Sequence, residues 1–150
     1  MRGEAGRKES GFTLIELLVV LVIIAIVTAI GLVAVMNALD KSKQRATMAD
    51  MRTVSKGIEV YAVDNGHLPA DSDGIAGLKS SLIPYQSSVI PTRDHWGHDF
   101  GYRVDIARGL YTVESFGKDG VDGPDMTLAT KLHFNSDIVL ANGQFVAAPE

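Results

Sequence analysis

Residues 17–39 form a run of 23 positions without one charged side chain. A helix rises about 1.5 Å per residue, so this run crosses a hydrocarbon core of roughly 30 Å with a little to spare. It constrains the fold more than any other stretch, because a segment so apolar must be covered by lipid or by protein. Its β-branched content is high, yet its length favours helix over strand. No proline occurs between residues 12 and 68. Gly31 is the weak point, about 1 kcal/mol worse than Ala in a helix interior. It suits either a local stretching of the helix or close packing between helices. Glu16 stands at the head of the run. A carboxylate there costs on the order of a few kcal/mol unless it is paired or near the interface, so it needs a reason.

A polar leader precedes the run, with Arg2, Arg7 and Lys8 against Glu4 and Glu9. It does not follow the secretory plan, since no small-residue cleavage site follows the apolar segment. Basic residues flank the run on both sides, so charge alone does not orient it. The stretch Gly11-Phe12-Thr13-Leu14-Ile15-Glu16-Leu17-Leu18-Val19-Val20 resembles the cleavage and methylation signature of type IV pilins and type II secretion pseudopilins. That resemblance implies a prepilin peptidase that cuts between Gly11 and Phe12 and methylates the new amine. It implies an inner-membrane subunit, single-pass, with its C-terminal domain in the periplasm. It also implies that Glu16 faces the Phe12 amine of a neighbouring copy during assembly. The segments expected are a leader over 1–11, a membrane or filament-core helix over 12–39, and a globular domain over 40–150.

Beyond Leu39 the pattern changes. Charged residues from Asp40 to Glu59 alternate with Met48, Met51, Val54, Ile58 and Tyr61. The spacing of those five puts them on one helical face, the floor of a small domain. Asp64-Asn65-Gly66 ends the helix, with Pro69 close behind. A short helix is expected over 73–82, strands over 100–106 and 110–116, and a short pair over 138–140 and 144–147. Asn142-Gly143 is a two-residue hairpin signal. Two further stretches are similar to the major pseudopilin family of type II secretion. One runs from Tyr61 to Pro69. The other, Asp94-His95-Trp96-Gly97-His98-Asp99-Phe100-Gly101-Tyr102, resembles that family's Asp-Pro-Trp-Gly loop with His95 in the proline position. The expected fold class is α+β and pilin-like: a long N-terminal helix against a small antiparallel sheet, with a calcium-type loop.

That loop is Phe116-Gly117-Lys118-Asp119-Gly120-Val121-Asp122-Gly123-Pro124-Asp125. Aspartates spaced by three among glycines offer hard oxygens on a flexible backbone. Calcium takes about six to eight oxygens at ~2.3–2.6 Å. The spacing is not that of an EF-hand, and the bland alternative is a solvated acidic turn. The family resemblance implies one structural calcium held by Asp119 and the backbone oxygen of Phe116, with Asp137 as a late ligand. The chemistry of the loop adds Asp122 and Asp125.

Other classes find little support. The chain carries −4 overall and its leader +1, so the remainder carries −5. With no basic patch to meet phosphate, nucleic acid is not an expected partner. There is no cysteine, hence no disulfide. His95-x-x-His98 lacks a third ligand fixed by spacing. No nucleophile elbow or phosphate-binding glycine loop occurs, so enzyme activity is not expected. The resemblance implies a structural subunit of the periplasmic pseudopilus of a type II protein secretion system, polymerising through its N-terminal helix to drive export. The partners it implies are other copies of the chain in a helical homopolymer, minor pseudopilins, an inner-membrane assembly platform, the peptidase, and lipid before assembly. A type IV pilin for adhesion, motility or DNA uptake is the alternative, though such pilins usually carry a larger domain, often closed by a disulfide.

Overall fold

The computed structural model describes residues 11–70, 74–85, 89–124 and 133–148. Its elements are α1 (Leu14–Asn65), α2 (Gly74–Leu82) with a 3-10 turn at Ile83–Tyr85, and four strands. The strands are β1 (Gly101–Asp105), β2 (Leu110–Ser115), β3 (Ile138–Ala141) and β4 (Gln144–Ala147). Internal contacts divide the chain into two units between Ala38 and Leu39.

In the first unit, residues 14–38 are helical and every side chain is exposed. Among the described residues, α1 is the helix long and apolar enough to cross a membrane. An unburied stretch of Leu, Ile and Val finds no cover within its own unit among the described residues, which marks it as a surface for lipid or another protein.

The second unit holds the core. α1 buries Met51, Val54 and Ile58 completely and Met48 and Tyr61 in part, which is the stripe its sequence spacing predicts. Against them lie Ile75, Leu78 and Leu82 of α2, Tyr102 of β1, Tyr111 and Val113 of β2, and Ile138 and Leu140 of β3. Each such side chain contributes roughly 1.5–3 kcal/mol on leaving water. Toward its N-terminal end the buried face of α1 turns polar, with Asp40, Gln44 and Thr47. The Tyr111 hydroxyl shares a 2.7 Å hydrogen bond with Ser55 Oγ, and burial pushes its pKa up to about 12. α1 stops at Asn65, where Gly66 adopts φ 74° and donates its N–H to the Ala62 carbonyl at 2.9 Å.

The strands form one antiparallel meander in the order β1-β2-β3-β4. Two separate hairpins are what the turn signals predict, and both are present. Asn142 and Gly143 take φ 47° and 81° at the β3–β4 turn, the left-handed pair that such a turn needs. What joins them is β2–β3 pairing, from Thr112↔Ala141 to Ser115↔Ile138. That register brings the residues after Ser115 beside those before Ile138.

Candidate functional site

The first candidate lies at the head of α1. Thr13 donates its backbone N–H to Glu16 Oε2 at 3.0 Å and its hydroxyl to the same oxygen at 2.9 Å. Glu16 donates its backbone N–H to Thr13 Oγ1 at 3.3 Å. This is a capping box, in which each side chain satisfies a backbone donor of the other. The sequence signal is Thr-x-x-Glu directly before an apolar run, which the reading of Glu16 as a bare membrane acid passes over. The box gives the carboxylate two donor contacts within its own chain, both from Thr13. Phe12 and Gly11 precede the helix and are exposed.

The second candidate follows from the β2–β3 register. On β2, Tyr111, Val113 and Ser115 face the core, so Thr112 and Glu114 face the other way. Glu114 is nevertheless only 6% exposed. Its cross-strand partner is Gly101. The Phe116 ring lies against Gly101, where an added Cβ would come within 3.1 Å of Phe116 Cζ. The aromatic ring and the loop that follows it thus close over the outer face of the sheet at Glu114. Asp137 sits one residue before β3 and is fully buried. Its Oδ2 accepts the Gly123 N–H at 2.8 Å, which ties the glycine loop to the start of β3.

Glu114, Asp122 and Asp137 thereby bring one carboxylate oxygen each within 4.8 Å of one another. Two oxygens on one ion at about 2.4 Å can be no more than about 4.8 Å apart, so the three fit a shared divalent cation. The donor set is all oxygen, which suits a hard cation and not a thiophilic metal. Arg103, on β1, reaches two of them: Nη1 lies 3.2 Å from Glu114 Oε2 and Nη2 lies 3.1 Å from Asp122 Oδ2.

Of the residues predicted for a metal, Asp122 and Asp137 are therefore brought together. Asp119 is not in that group; its Oδ1 accepts the Val121 N–H at 3.3 Å, a local turn contact. Phe116 contributes its ring to the cover over Glu114. Asp125 lies outside the described residues. Glu114 and Arg103 are additions that sequence reasoning missed. Both read as ordinary solvent-facing strand residues, and only the fold of the loop onto the sheet makes them part of a site.

Neighbouring loops hold this corner in place. Asp94 Oδ1 accepts the N–H groups of Trp96, Gly97 and His98 at 2.9, 2.8 and 2.9 Å. Its Oδ2 accepts the Ser115 hydroxyl at 2.9 Å. The His98 ring nitrogen Nδ1 lies 3.0 Å from the Gly117 carbonyl. The pair His95 and His98 is thus spent on positioning: the His95 N–H donates to Thr47 Oγ1 at 3.1 Å, and His95 Nε2 lies 3.1 Å from Asp50 Oδ2.

Comparison with known proteins places the chain in a family and finds a processing motif at the head of α1. Residues 34–130 match the family described as type II secretion system protein G, and residues 6–32 match the prokaryotic N-terminal methylation motif. The chain is 30% identical over 127 residues to the type II secretion system core protein G of Pseudomonas aeruginosa, covering 78% of this chain and 89% of that protein. It is 32% identical over 120 residues to the protein of the same name from Xanthomonas campestris pv. campestris, covering 77% and 82%. To the Escherichia coli K12 protein of that name it is 27% identical over 128 residues, covering 79% and 88%. The chain belongs to the type II secretion system protein G family, the major pseudopilins, and is a structural subunit of the pseudopilus.

Proposed function

We propose that residues 12–39 hold the subunit in the inner membrane as a single pass, with the domain from residue 40 onward in the periplasm, until it is drawn into the filament. Prepilin peptidase removes residues 1–11 by cutting between Gly11 and Phe12, and the Phe12 amine is methylated. The observation that carries this reading is the wholly exposed apolar stretch of α1 with one acid at its head. Lipid covers it first and the helices of other copies cover it afterwards. Since both surroundings are apolar, little hydrophobic free energy is lost in the exchange.

Glu16 gives the packing its register. In the single subunit its carboxylate is met by Thr13. On assembly it exchanges that partner for the Phe12 amine of a neighbour, whose unperturbed pKa of ~8 leaves it charged at neutral pH. In an apolar surround an unpaired carboxylate is costly, so misregistered copies are disfavoured. Glu16→Val is expected to be cut after Gly11 as usual but to form few filaments. Wild-type filament yield from that variant, measured by shearing and immunoblot, refutes the role. Minor pseudopilins and an assembly platform in the membrane are the further partners of this reading.

The acidic cluster holds one structural calcium ion. Glu114, Asp122 and Asp137 supply carboxylates. Asp119, Asp125 and the Phe116 carbonyl, which family resemblance and loop chemistry favour, belong to the same reading as additional oxygens toward the six to eight that calcium takes. The ion supplies the crosslink that a cysteine-free exported domain has no disulfide to make. Thermal unfolding of the mature chain is expected several degrees higher in calcium than in chelator, and identical midpoints remove the proposal.

A further inference from the structure

We propose that Arg103 is a built-in competitor for that cation: in the ion-free subunit its guanidinium holds Glu114 and Asp122 together, and it must let go before the site is filled. The inference rests on the calcium reading above and concerns what the chain itself does there. One planar group gives one nitrogen to each of two carboxylates, at 3.2 Å to Glu114 and 3.1 Å to Asp122. It therefore bridges the pair, as a shared cation would. The oxygens it holds come from two of the three residues whose carboxylates converge within 4.8 Å.

Charge explains why it is there. Three carboxylates so close repel one another, and a single positive charge in their midst offsets part of that repulsion. Charge also explains why it must leave. A divalent and a monovalent cation sharing the same two carboxylates would lie about 5 Å apart, where at an effective dielectric near 20 their repulsion is roughly tenfold thermal energy. Departure is easy. The Arg103 side chain is 64% exposed, against 8% for Glu114, and β1 is an edge strand of the sheet. The guanidinium can swing into water without opening the core, while Glu114 stays fixed under Phe116. The apparent affinity of the site is then its intrinsic affinity reduced by the share of molecules in which Arg103 is away.

The test uses the mature full-length chain in detergent, as wild type, Arg103→Gln and Arg103→Lys, titrated with calcium by calorimetry and melted in calcium and in chelator. Arg103→Gln is expected to bind calcium roughly tenfold more tightly at low salt, with a smaller gain at high salt. Its melting point in chelator should fall while that in calcium holds, so the gap between them widens. Arg103→Lys should lie between, because an ammonium lacks the fork that spans two carboxylates. Equal or weaker calcium binding by Arg103→Gln, with wild type still binding, overturns the competition and leaves the calcium reading standing. Absence of binding in all three proteins removes that reading and this inference with it.

Discussion

Asp40 is the first charged residue after the apolar run, yet it is only 8% exposed. Lys118 Nζ donates to its Oδ2 at 2.8 Å and the Trp96 indole N–H to its Oδ1 at 3.2 Å. The Lys118 hydrogen bond holds the carboxyl below the usual range, against burial, which works the other way. A carboxyl depressed in the folded state binds its proton more readily when unfolded. Its contribution to stability is therefore complete above the unfolded value of about 4 and is lost as pH falls through the folded one. Asp40→Asn is expected to lower the melting point at pH 7, and to give a shallower further loss between pH 5 and 3 than wild type. A wild-type pH profile from that variant would show that the charge contributes nothing. The sequence shows Asp40 as one more polar residue on an amphipathic helix. Lys118 lies 78 positions away, and nothing local links them.

At the scale of elements, the deciding piece is the connection between β2 and β3. Gly117 takes φ 63°, and a Cβ there would come within 2.7 Å of the Phe134 carbonyl and 2.9 Å of Asn135 C. Both are backbone atoms that cannot step aside. Next to it, Lys118 donates its N–H to that same Phe134 carbonyl at 2.7 Å. The start of the loop is thus laid directly on the strand approach that ends in Asp137. Gly117→Ala is expected to cost about 1–3 kcal/mol by urea unfolding, from the left-handed backbone and the close approach together. It should also weaken calcium binding, since Asp122 and Asp137 meet only if the two arms stay in contact. Less than about 0.5 kcal/mol would mean that the arms part freely. The turns and strands around this loop are legible in the sequence, because Asn142-Gly143 and the alternation within 110–115 are local signals. The loop's docking is not, because it depends on β2–β3 pairing across more than twenty residues.

For the molecule as a whole, one residue pattern already separates two solvents. The uncharged run of 17–39 follows from composition and length, the interleaved stripe Met51, Val54 and Ile58 from hydrophobic period, and the helix end at Asn65 from the cap signal Asp64-Asn65-Gly66. The junction Gly11-Phe12 with Glu16 carries the family signature in adjacent letters. These features are local, and local spacing is what a sequence displays. The joining of two hairpins into one sheet, the polar end of the buried face at Asp40, Gln44 and Thr47, and the meeting of Arg103, Glu114, Asp122 and Asp137 were decided only by the tertiary structure. Their partners come from strands and loops distant in the chain, and a charged residue spaced like a solvated one gives no sign, before the chain folds, of what will cover it.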